Sequence, residues 1–290
     1  MSEGILKSSG LSCVPLNSTA PFNIDVSKGA FKNAGDTFLP FGWVEPNIDK
    51  YPDATINHGV FTGEVFSSPT SYPYGICWDG THFWVVGSGS NNKVYQIDGT
   101  GSYTGVNFSV ATQTNNPYGI CWDGTNFWVC DSVASIVFKY SATGIYSGFN
   151  FSVNDEANLP LDICFDGTHL WLADNTTDKV YKYTTAGVYT GTNHSYASQE
   201  TQAQGLCWDG VYFWLVGSTS VYQYTSQWVF TGVQFNANYS NCTGIAFVNG
   251  YLWILSNGSD NISQYFIKAI GNPIAKIDSD SGLPLCLRVQ

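Results

Sequence analysis

The sequence predicts an all-β fold, a five-bladed β-propeller closed by an N-terminal strand, with extended N- and C-terminal arms. Three observations predict this fold. A unit of short β-favouring runs recurs five times along the chain, and each copy turns on an Asp-Gly or Asn-Gly pair. The last copy lacks its final strand, and a run of the same kind precedes the first copy. Repetition at this period is typical of arrays and closed rings of supersecondary units.

The repeat is clearest around its first turn. The unit YGICWDGTHFWVVG spans residues 74–87 and returns in related form at 118–131, 161–174, 204–217 and, degenerately, 243–256. The turn positions are spaced 40 to 44 residues apart and are Asp79, Asp123, Asp166, Asp209 and Asn249. A repeat of this length has room for the four strands of one propeller blade.

Four strands can be traced in the first copy. Residues 75–78 and 83–86 are β-favouring runs joined by Asp79-Gly80, a pair that tolerates the positive φ angles of a tight hairpin. Two further runs, 93–97 and 103–110, are separated by a Gly-rich turn. Each copy is therefore expected to form one blade.

The count of fourth strands predicts how the ring closes. These strands begin at Tyr103, Tyr146, Tyr189 and Phe230, whereas the fifth copy ends near Phe266 without one. Residues 61–66 resemble a fourth strand and can complete the last blade, which removes exposed sheet edges. The predicted organisation is an extended arm at 1–58, a propeller at 59–266 and a β tail at 267–290.

Composition excludes several classes of function. The chain is 43% hydrophobic but only 11% charged, and its net charge is −11. Such a charge repels phosphate backbones, so nucleic acid is not an expected partner. The chain has no run of about 18 apolar residues and no N-terminal signal pattern, so neither membrane insertion nor signal-directed secretion is expected.

The cysteines predict buried thiols rather than a disulfide framework. Four of them, Cys77, Cys121, Cys164 and Cys207, occupy one position of the repeat inside an apolar strand. Equivalent positions on different blades lie too far apart for a disulfide, which needs Cα atoms within about 7 Å. The state of the others is left open by the sequence; they are Cys13, Cys130, Cys242 and Cys286.

Candidate functional residues are sought where the copies differ. The repeated Asp-Gly turns and the second-strand tryptophans are explained by turn geometry and inter-blade packing. The loops at the opposite face vary and are rich in polar residues, and they lie at 67–73, 111–117, 154–160, 196–203 and 236–242, with further turns at 87–92, 131–135, 174–178, 217–220 and 256–261. Loops on a rigid scaffold often carry function. The expected ligand-binding residues are Tyr74, Tyr118, Asp131, Asp162, Asp174, Asn92 and Asn116.

No catalytic residue, metal site or cofactor is predicted. The histidines and cysteines lack the spacing of a metal site, and no Gly-rich loop opens a helix. Glu156 and Glu200 on variable loops leave a propeller glycosidase as the less favoured alternative, since such enzymes use a pair of carboxyl groups. The protein is therefore expected not to be an enzyme.

The repeated unit GICWDGTNFWV, followed by VYKY-like and YTG-like strands, resembles bacterial propeller repeats of the NHL and YVTN kind. The blade number is similar to that of tachylectin-type sugar-binding propellers. The polar, Arg-poor style of the chain, its arms and the segment Gly282-Leu-Pro284 resemble tailed-bacteriophage virion proteins. These resemblances imply a tail, fibre or decoration protein that folds in the host cytoplasm. Its arms would contact other virion subunits, and its propeller face would bind a host glycan or a neighbouring subunit. The alternative is an extracellular or cell-surface lectin or adhesin.

Overall fold

The computed structural model describes residues 59–89 and 92–267, together with the course of six short strands outside those ranges. By its internal contacts the chain divides into two units, residues 1–56 with 268–290 and residues 57–267. The strands of the first unit are β1 (Leu6–Ser8), β2 (Leu11–Cys13), β3 (Phe22–Asp25), β4 (Ala30–Asn33), β5 (Leu39–Pro40) and β26 (Leu287–Arg288). They form two three-stranded sheets, β1-β2-β26 and β3-β4-β5. Apart from these strands, the predicted arms lie outside the described residues.

The second unit is the predicted propeller, in which five four-stranded antiparallel sheets are the blades. Blade 1 contains β7 (Pro73–Trp78), β8 (Phe83–Gly87), β9 (Lys93–Ile97) and β10 (Tyr103–Ser109), and blade 2 contains β11 (Pro117–Trp122), β12 (Asn126–Asp131), β13 (Ile136–Ser141) and β14 (Tyr146–Ser152). Blade 3 contains β15 (Pro160–Phe165), β16 (Leu170–Asp174), β17 (Lys179–Tyr183) and β18 (Tyr189–Ser195), and blade 4 contains β19 (Gly205–Trp208), β20 (Tyr212–Val216), β21 (Ser220–Thr225) and β22 (Phe230–Asn236). Blade 5 contains β23 (Cys242–Val248), β24 (Tyr251–Ser256), β25 (Asn261–Phe266) and the N-terminal strand β6 (Val60–Ser67). Among the described residues there is no helix that is long and apolar enough to cross a membrane.

The N-terminal strand closes the ring as the count of strands predicts. Strand β6 pairs with β25 in antiparallel register, with Val60 opposite Phe266. The Gly59 amide donates to the Phe266 carbonyl at 2.9 Å. In the other blades the equivalent hydrogen bond closes the turn between the third and fourth strands, and in blade 5 it joins the two ends of the propeller segment. The predicted five-bladed fold is confirmed, with no sheet edge left open at the join.

The propeller has two different ends. We call the end with the loops between successive blades and between second and third strands the funnel end. The opposite end, with the first-to-second-strand and third-to-fourth-strand turns, is the turn end. At the turn end, Asp79 Oδ1 accepts hydrogen bonds from the Thr81 and His82 amides at 2.7 Å, and Asp79 Oδ2 accepts one from Trp84 Nε1 at 2.6 Å.

This aspartate arrangement recurs in three other blades. The indole of the second-strand tryptophan donates to Asp123, Asp166 and Asp209 at 2.7 Å. The predicted structural role of the Asp-Gly turns is confirmed, and the bond to the tryptophan explains why the acid recurs. The predicted inter-blade packing is confirmed too, since the five tryptophans are at most 5% exposed: Trp84, Trp128, Trp171, Trp214 and Trp253.

The inner strands approach one another closely around the axis. A Cβ atom on Gly75 would lie 2.5 Å from the Tyr118 carbonyl oxygen, and one on Gly244 would lie 2.9 Å from that of Tyr74. Glycine at this repeat position therefore lets neighbouring strands come close. In blade 3 the position holds Asp162 instead. The four repeated cysteines pack as buried free thiols, as predicted, and Cys130 and Cys242 are also free and buried.

One interface between blades is built differently from the others. In four interfaces a phenylalanine of the fourth strand covers a glycine in the next blade's turn, as Phe151 covers Gly187. Between blades 3 and 4 the pair is His194 and Trp228. The Trp228 ring stacks on Phe213 at 4.6 Å and on His194 at 6.4 Å. At this interface the larger residue, Trp228, therefore belongs to blade 4 rather than to the fourth strand of blade 3, and it fills the space that phenylalanine fills at the other interfaces.

Candidate functional site

A polar cavity opens at the funnel end of the axis, with a volume of about 240 Å³. Its walls come from the start of the second inner strand and from the loops of blades 4 and 5. The lining residues are Tyr118, Gln202, Gln204, Ser218, Asn241, Cys242, Thr243 and Asn257. All eight side chains are polar, and none carries a charge in its ordinary state at neutral pH.

Tyr118 and Gln204 connect opposite sides of this funnel. The Tyr118 hydroxyl donates to Gln204 Oε1 at 2.8 Å, which joins blades 2 and 4. Tyr74 packs against Tyr118 with ring centroids 4.2 Å apart. Burial raises the pKa of Tyr118 well above its ordinary value, so its hydroxyl is a neutral donor and acceptor. Tyr118 thus gives the cavity one aromatic wall with a fixed hydroxyl group, and Tyr74 packs against that residue.

Asp162 is fully buried on the axis, where it ties three inner strands together. Its Oδ2 accepts from the Leu206 amide at 2.7 Å, and its Oδ1 accepts from its own neighbour Ile163 at 2.9 Å. The Ile120 amide is a further donor. Burial raises the pKa of Asp162 well above that of a free aspartate, against these three hydrogen bonds, which favour the charged form. Because Asp162 is only 1% exposed, it joins the blades rather than contacting a ligand.

Several side chains of the cavity are free to bind. The side chains of Gln202, Ser218, Asn241 and Asn257 make no hydrogen bond to any described residue. Gln204 uses its oxygen for Tyr118, and its amide nitrogen likewise has no partner among the described residues. Free donors and acceptors therefore face the cavity.

The cavity contains one thiol. Cys242 Sγ donates to the Tyr239 carbonyl at 3.2 Å. Burial raises the pKa of Cys242 to about 12, so the thiol is protonated at neutral pH. A thiol in this state is a poor nucleophile. It closes the wall as a small, weakly polar group.

Of the expected ligand-binding residues, Tyr74, Tyr118 and Asp162 lie at the axis. The others form hydrogen bonds that stabilise the loops around them. Asp131 Oδ1 accepts from the Val133 and Ala134 amides at 2.8 and 2.7 Å. Asp174 bonds the Thr177 amide and hydroxyl and the Leu159 amide. These two side chains are buried at 3% and 0% exposure. Their carboxylates hold turns in the way that Asp commonly does.

The two predicted asparagines also lie away from the cavity lining. Asn92 is buried with φ of 38° and donates to the Thr114 and Asn115 carbonyls at 3.4 and 3.3 Å. Asn116 is exposed, and its carbonyl accepts the Ser132 amide at 3.1 Å. Both therefore position the backbone of the loops around the funnel.

Sequence reasoning missed most of the residues that line the cavity. Gln202, Ser218, Asn241, Cys242 and Asn257 lie in loops that were expected to vary, but no single residue among them stands out in the sequence. Gln204 carried a usable signal. It occupies the repeat position just before the inner glycine, where the copies have Tyr74, Tyr118, Leu161, Gln204 and Thr243.

Charged groups do not converge on the funnel in the described part of the chain. Glu156 accepts from the Tyr183 hydroxyl at 3.0 Å, and Glu200 accepts from the Thr201 and Gln202 amides at 2.9 Å. The described residues contain no group of three or more metal-ligating side chains. The cavity is therefore suited to hydrogen bonding with an uncharged group.

Comparisons with known proteins support the fold. No family model matches the chain, and no curated protein matches it in sequence. The crystal structure of Myxococcus xanthus glutaminyl cyclase is similar, with a TM-score of 0.55 and 12% identity over 70% of this chain and 93% of that one. Virginiamycin B lyase from Staphylococcus aureus has a TM-score of 0.45 and 16% identity over 92% and 94% of the two chains. A streptogramin B lyase has a TM-score of 0.46 and 14% identity over 71% and 87%.

These findings correct the functional prediction. The expectation of a non-enzymatic virion protein, with a lectin or a glycosidase as alternatives, is wrong, because the similar structures include an enzyme with a propeller fold, the glutaminyl cyclase. They include enzymes, but at such low identity they show the shared fold and assign no activity to this chain. The resemblance to NHL and YVTN repeats is supported only as far as the propeller fold.

Proposed function

We propose that the propeller binds an uncharged ligand through a carboxamide group, such as a peptide bond or a primary amide, in the funnel-end cavity. The observation that carries this proposal is the set of four carboxamide side chains around one cavity, namely Gln202, Gln204, Asn241 and Asn257. A carboxamide has both donors and an acceptor, so one carboxamide pairs with a primary amide through two hydrogen bonds, whereas the N–H and C=O of a trans peptide bond are bound by two different carboxamides.

The absence of charge in the lining favours a neutral ligand. A carboxylate or ammonium group that entered the cavity would lose water without gaining a countercharge from the eight lining residues. A neutral amide loses less on desolvation and regains its hydrogen bonds from Gln204, Asn241 and Ser218.

Tyr118, packed against Tyr74, supplies the apolar part of the site. Its ring, with the two centroids 4.2 Å apart, offers a rigid surface against which a flat amide plane or a small side chain packs. The cavity volume of about 240 Å³ lies below the usual range for drug-sized ligands. We therefore expect a peptide of one or two residues, or the end of a longer peptide, to enter the cavity.

Calorimetric titration with acetylated dipeptide amides tests this proposal. The matched probes are the same dipeptides with a free C-terminal carboxylate in place of the amide. We expect the amides to bind and the carboxylates to bind about tenfold more weakly, because a buried charge would lack a partner. Equal affinity of the two series, or no binding by either, would contradict the proposal.

A pair of Gln→Met variants localises the site. Gln204→Met removes the amide that faces the cavity and is expected to weaken binding about tenfold. Gln96→Met is the matched control, because Gln96 Oε1 also accepts one hydroxyl, that of Thr104 at 2.8 Å, but lies in a third strand. If both variants lowered affinity equally, the ligand would bind elsewhere.

A further inference from the structure

A second cavity lies at the turn end of the axis, with a volume of about 100 Å³. It is lined by three successive residues from each inner strand. The rings of five that surround the axis are Ile76, Ile120, Ile163, Leu206 and Ile245; Cys77, Cys121, Cys164, Cys207 and Ala246; and Trp78, Trp122, Phe165, Trp208 and Phe247. We call this cavity the axial pit. The funnel-end ligand proposed above makes no use of it.

The mouth of the axial pit is a ring of aromatic side chains. All five members are partly exposed. Each of the three tryptophans in this ring packs against a phenylalanine of the same blade. The ring centroids of Trp122 and Phe127, for example, are 4.6 Å apart. Aromatic faces attract cations through their quadrupole.

The deeper wall of the pit includes main-chain groups. The five inner strands are edge strands of their sheets, so one side of each backbone faces the axis. The Leu206 amide points inward there, since it donates to Asp162. In an extended strand the carbonyl of a residue points to the same side as its amide, so the carbonyls of the Ile and Leu ring also face the axis. These oxygens accept hydrogen bonds from an entering donor.

The turn end carries negative charge. Asp79, Asp123, Asp166 and Asp209 directly follow the aromatic ring in sequence, and Asp98 lies in a third turn at the same end. His82 lies beside this mouth, with Nδ1 3.8 Å from Asp79 Oδ2, and His169 occupies the equivalent position in blade 3.

The lysines of the described residues form no salt bridge with these acids. Lys93 and Lys179 begin third strands at the funnel end, and Lys139 and Lys182 lie over the rings of Trp128 and Trp171 at 4.9 and 5.2 Å. These two tryptophans donate their indole N–H groups to Asp123 and Asp166, but no lysine of the described residues forms a salt bridge with an acid of the turn end. Asp162, buried on the same axis, also lacks a cationic partner among the described residues.

We propose that the axial pit binds an alkylammonium cation, which enters from the turn end. The ammonium group donates to the inward-facing carbonyls, the aromatic ring surrounds its alkyl chain, and the rim carboxylates attract it over a longer range. A cavity of about 150 Å³ takes benzene, so the pit admits a slender chain rather than a bulky ring. A small amine and the side chain of a partner's lysine present the same chemistry.

Titration with n-butylammonium chloride, followed through the indole N–H signals of the protein by NMR, tests the proposal. Butan-1-ol is the matched neutral probe of similar size. We expect butylammonium to shift the signals of Trp78, Trp122 and Trp208 and to bind more weakly as sodium chloride is raised. Equal binding of butan-1-ol, or shifts confined to other tryptophans, would overturn the proposal.

A ring variant and a second probe make the test specific. Trp122→Leu is expected to weaken butylammonium binding about fivefold, while Tyr72→Leu, at an exposed aromatic of a funnel-end loop, leaves it unchanged. An unchanged affinity in Trp122→Leu would overturn the assignment; if that variant does not fold, the salt and butan-1-ol comparisons decide alone. The peptide acetyl-Gly-Lys-Gly-amide then separates the sources. If this peptide shifts the indole signals of the axial pit, the ligand is the lysine of a partner protein. If only the free amine shifts them, the ligand is a small amine.

Discussion

The two ends of the propeller axis use the same repeat in different ways. At the turn end, four aspartates make the same bonds to backbone amides and to a tryptophan indole. At the funnel end, the residues that precede the inner glycine differ in almost every blade, from Tyr118 to Gln204 to Thr243. Constant positions thus support the ring, whereas positions that diverge are free to form a binding site.

Departures from the repeat follow the same division. At the interface between blades 3 and 4, Trp228 in place of glycine is matched by His194 in place of phenylalanine. At the funnel end, the divergent residues line a cavity; Tyr118 and Gln204 bond each other, whereas the side chains of Gln202, Asn241 and Asn257 have no hydrogen-bond partner in the described part of the chain. A change at a blade interface or in a turn-end turn should therefore cost stability unless a second change offsets it, and a change at the funnel end should chiefly affect binding.

The largest effect is expected from Trp228→Gly. This change restores the glycine of the other turns but leaves a void, since His194 is smaller than phenylalanine. We expect a loss of about 3 to 5 kcal/mol in the free energy of unfolding, measured by urea denaturation. The double variant His194→Phe with Trp228→Gly should recover most of it. A double variant no more stable than the single one would show that the two residues do not share one space.

Removal of a turn-end carboxylate is expected to have the next largest effect. Asp166→Ala takes the acceptor from Trp171 Nε1 and from the Thr168 and His169 amides. We expect the free energy of unfolding to fall by about 2 to 4 kcal/mol. Asp98→Ala is the control, because Asp98 also bonds two turn amides but is partly exposed and bonds no indole. An equal loss in the control would argue that the turn alone matters.

The pH dependence of stability separates Asp162 from the surface acids. Burial raises the pKa of Asp162, so the folded state holds a proton that the unfolded chain releases near its ordinary pKa of about 4. Its contribution to the free energy of unfolding is therefore fully present at low pH and decreases as pH rises through the folded pKa. Asp162→Asn should remove this decrease in denaturation series from pH 4 to pH 8.

A partly exposed aspartate provides a control of opposite sign. Hydrogen bonds from Thr100 and Ser102 lower the pKa of Asp98. Its contribution is present above the unfolded pKa and is lost as pH falls through the folded pKa, so Asp98→Asn should flatten the acid limb instead. Parallel curves for the wild type and Asp162→Asn would contradict the role given to Asp162.

The smallest effect on stability is expected at the funnel end. Tyr118→Phe removes the hydroxyl that bonds Gln204 at 2.8 Å, at a border open to water. We expect a loss below about 1 kcal/mol in the free energy of unfolding. A larger loss would show that this hydrogen bond stabilises the fold and would contradict the distinction drawn between the two ends.

The sequence predicts the ring well because its signals are local and repeated. Asp-Gly turns, strand alternation and the missing fourth strand suffice to place five blades and the closing strand β6. Contacts between distant copies are a different matter. Tyr118 and Gln204 are 86 residues apart, and nothing in either copy indicates that their side chains meet across the axis. The exchange between His194 and Trp228 is likewise visible in the sequence only as two separate irregularities.

The expected site residues show a second limit. Asp131 and Asp174 are polar, lie on varied loops and begin turns, so the sequence suggests ligand binding. In the structure the Asp131 carboxylate accepts from two amides of its own turn and from the Thr114 hydroxyl, and the Asp174 carboxylate accepts from its own turn and from the Leu159 amide. A residue type suited to binding is equally suited to capping a turn, and only the fold shows which partner it has.

The most direct test of the central claim is NMR titration of the folded protein with an acetylated dipeptide amide, followed through the side-chain amide signals of asparagine and glutamine. We predict that the signals of Gln204, Asn241 and Asn257 shift together, while those of Asn107 and Asn150, bonded to tyrosines on outer strands, stay in place. Shifts on the outer strands with none at the funnel would contradict the account, because the divergent residues would then not form the binding site.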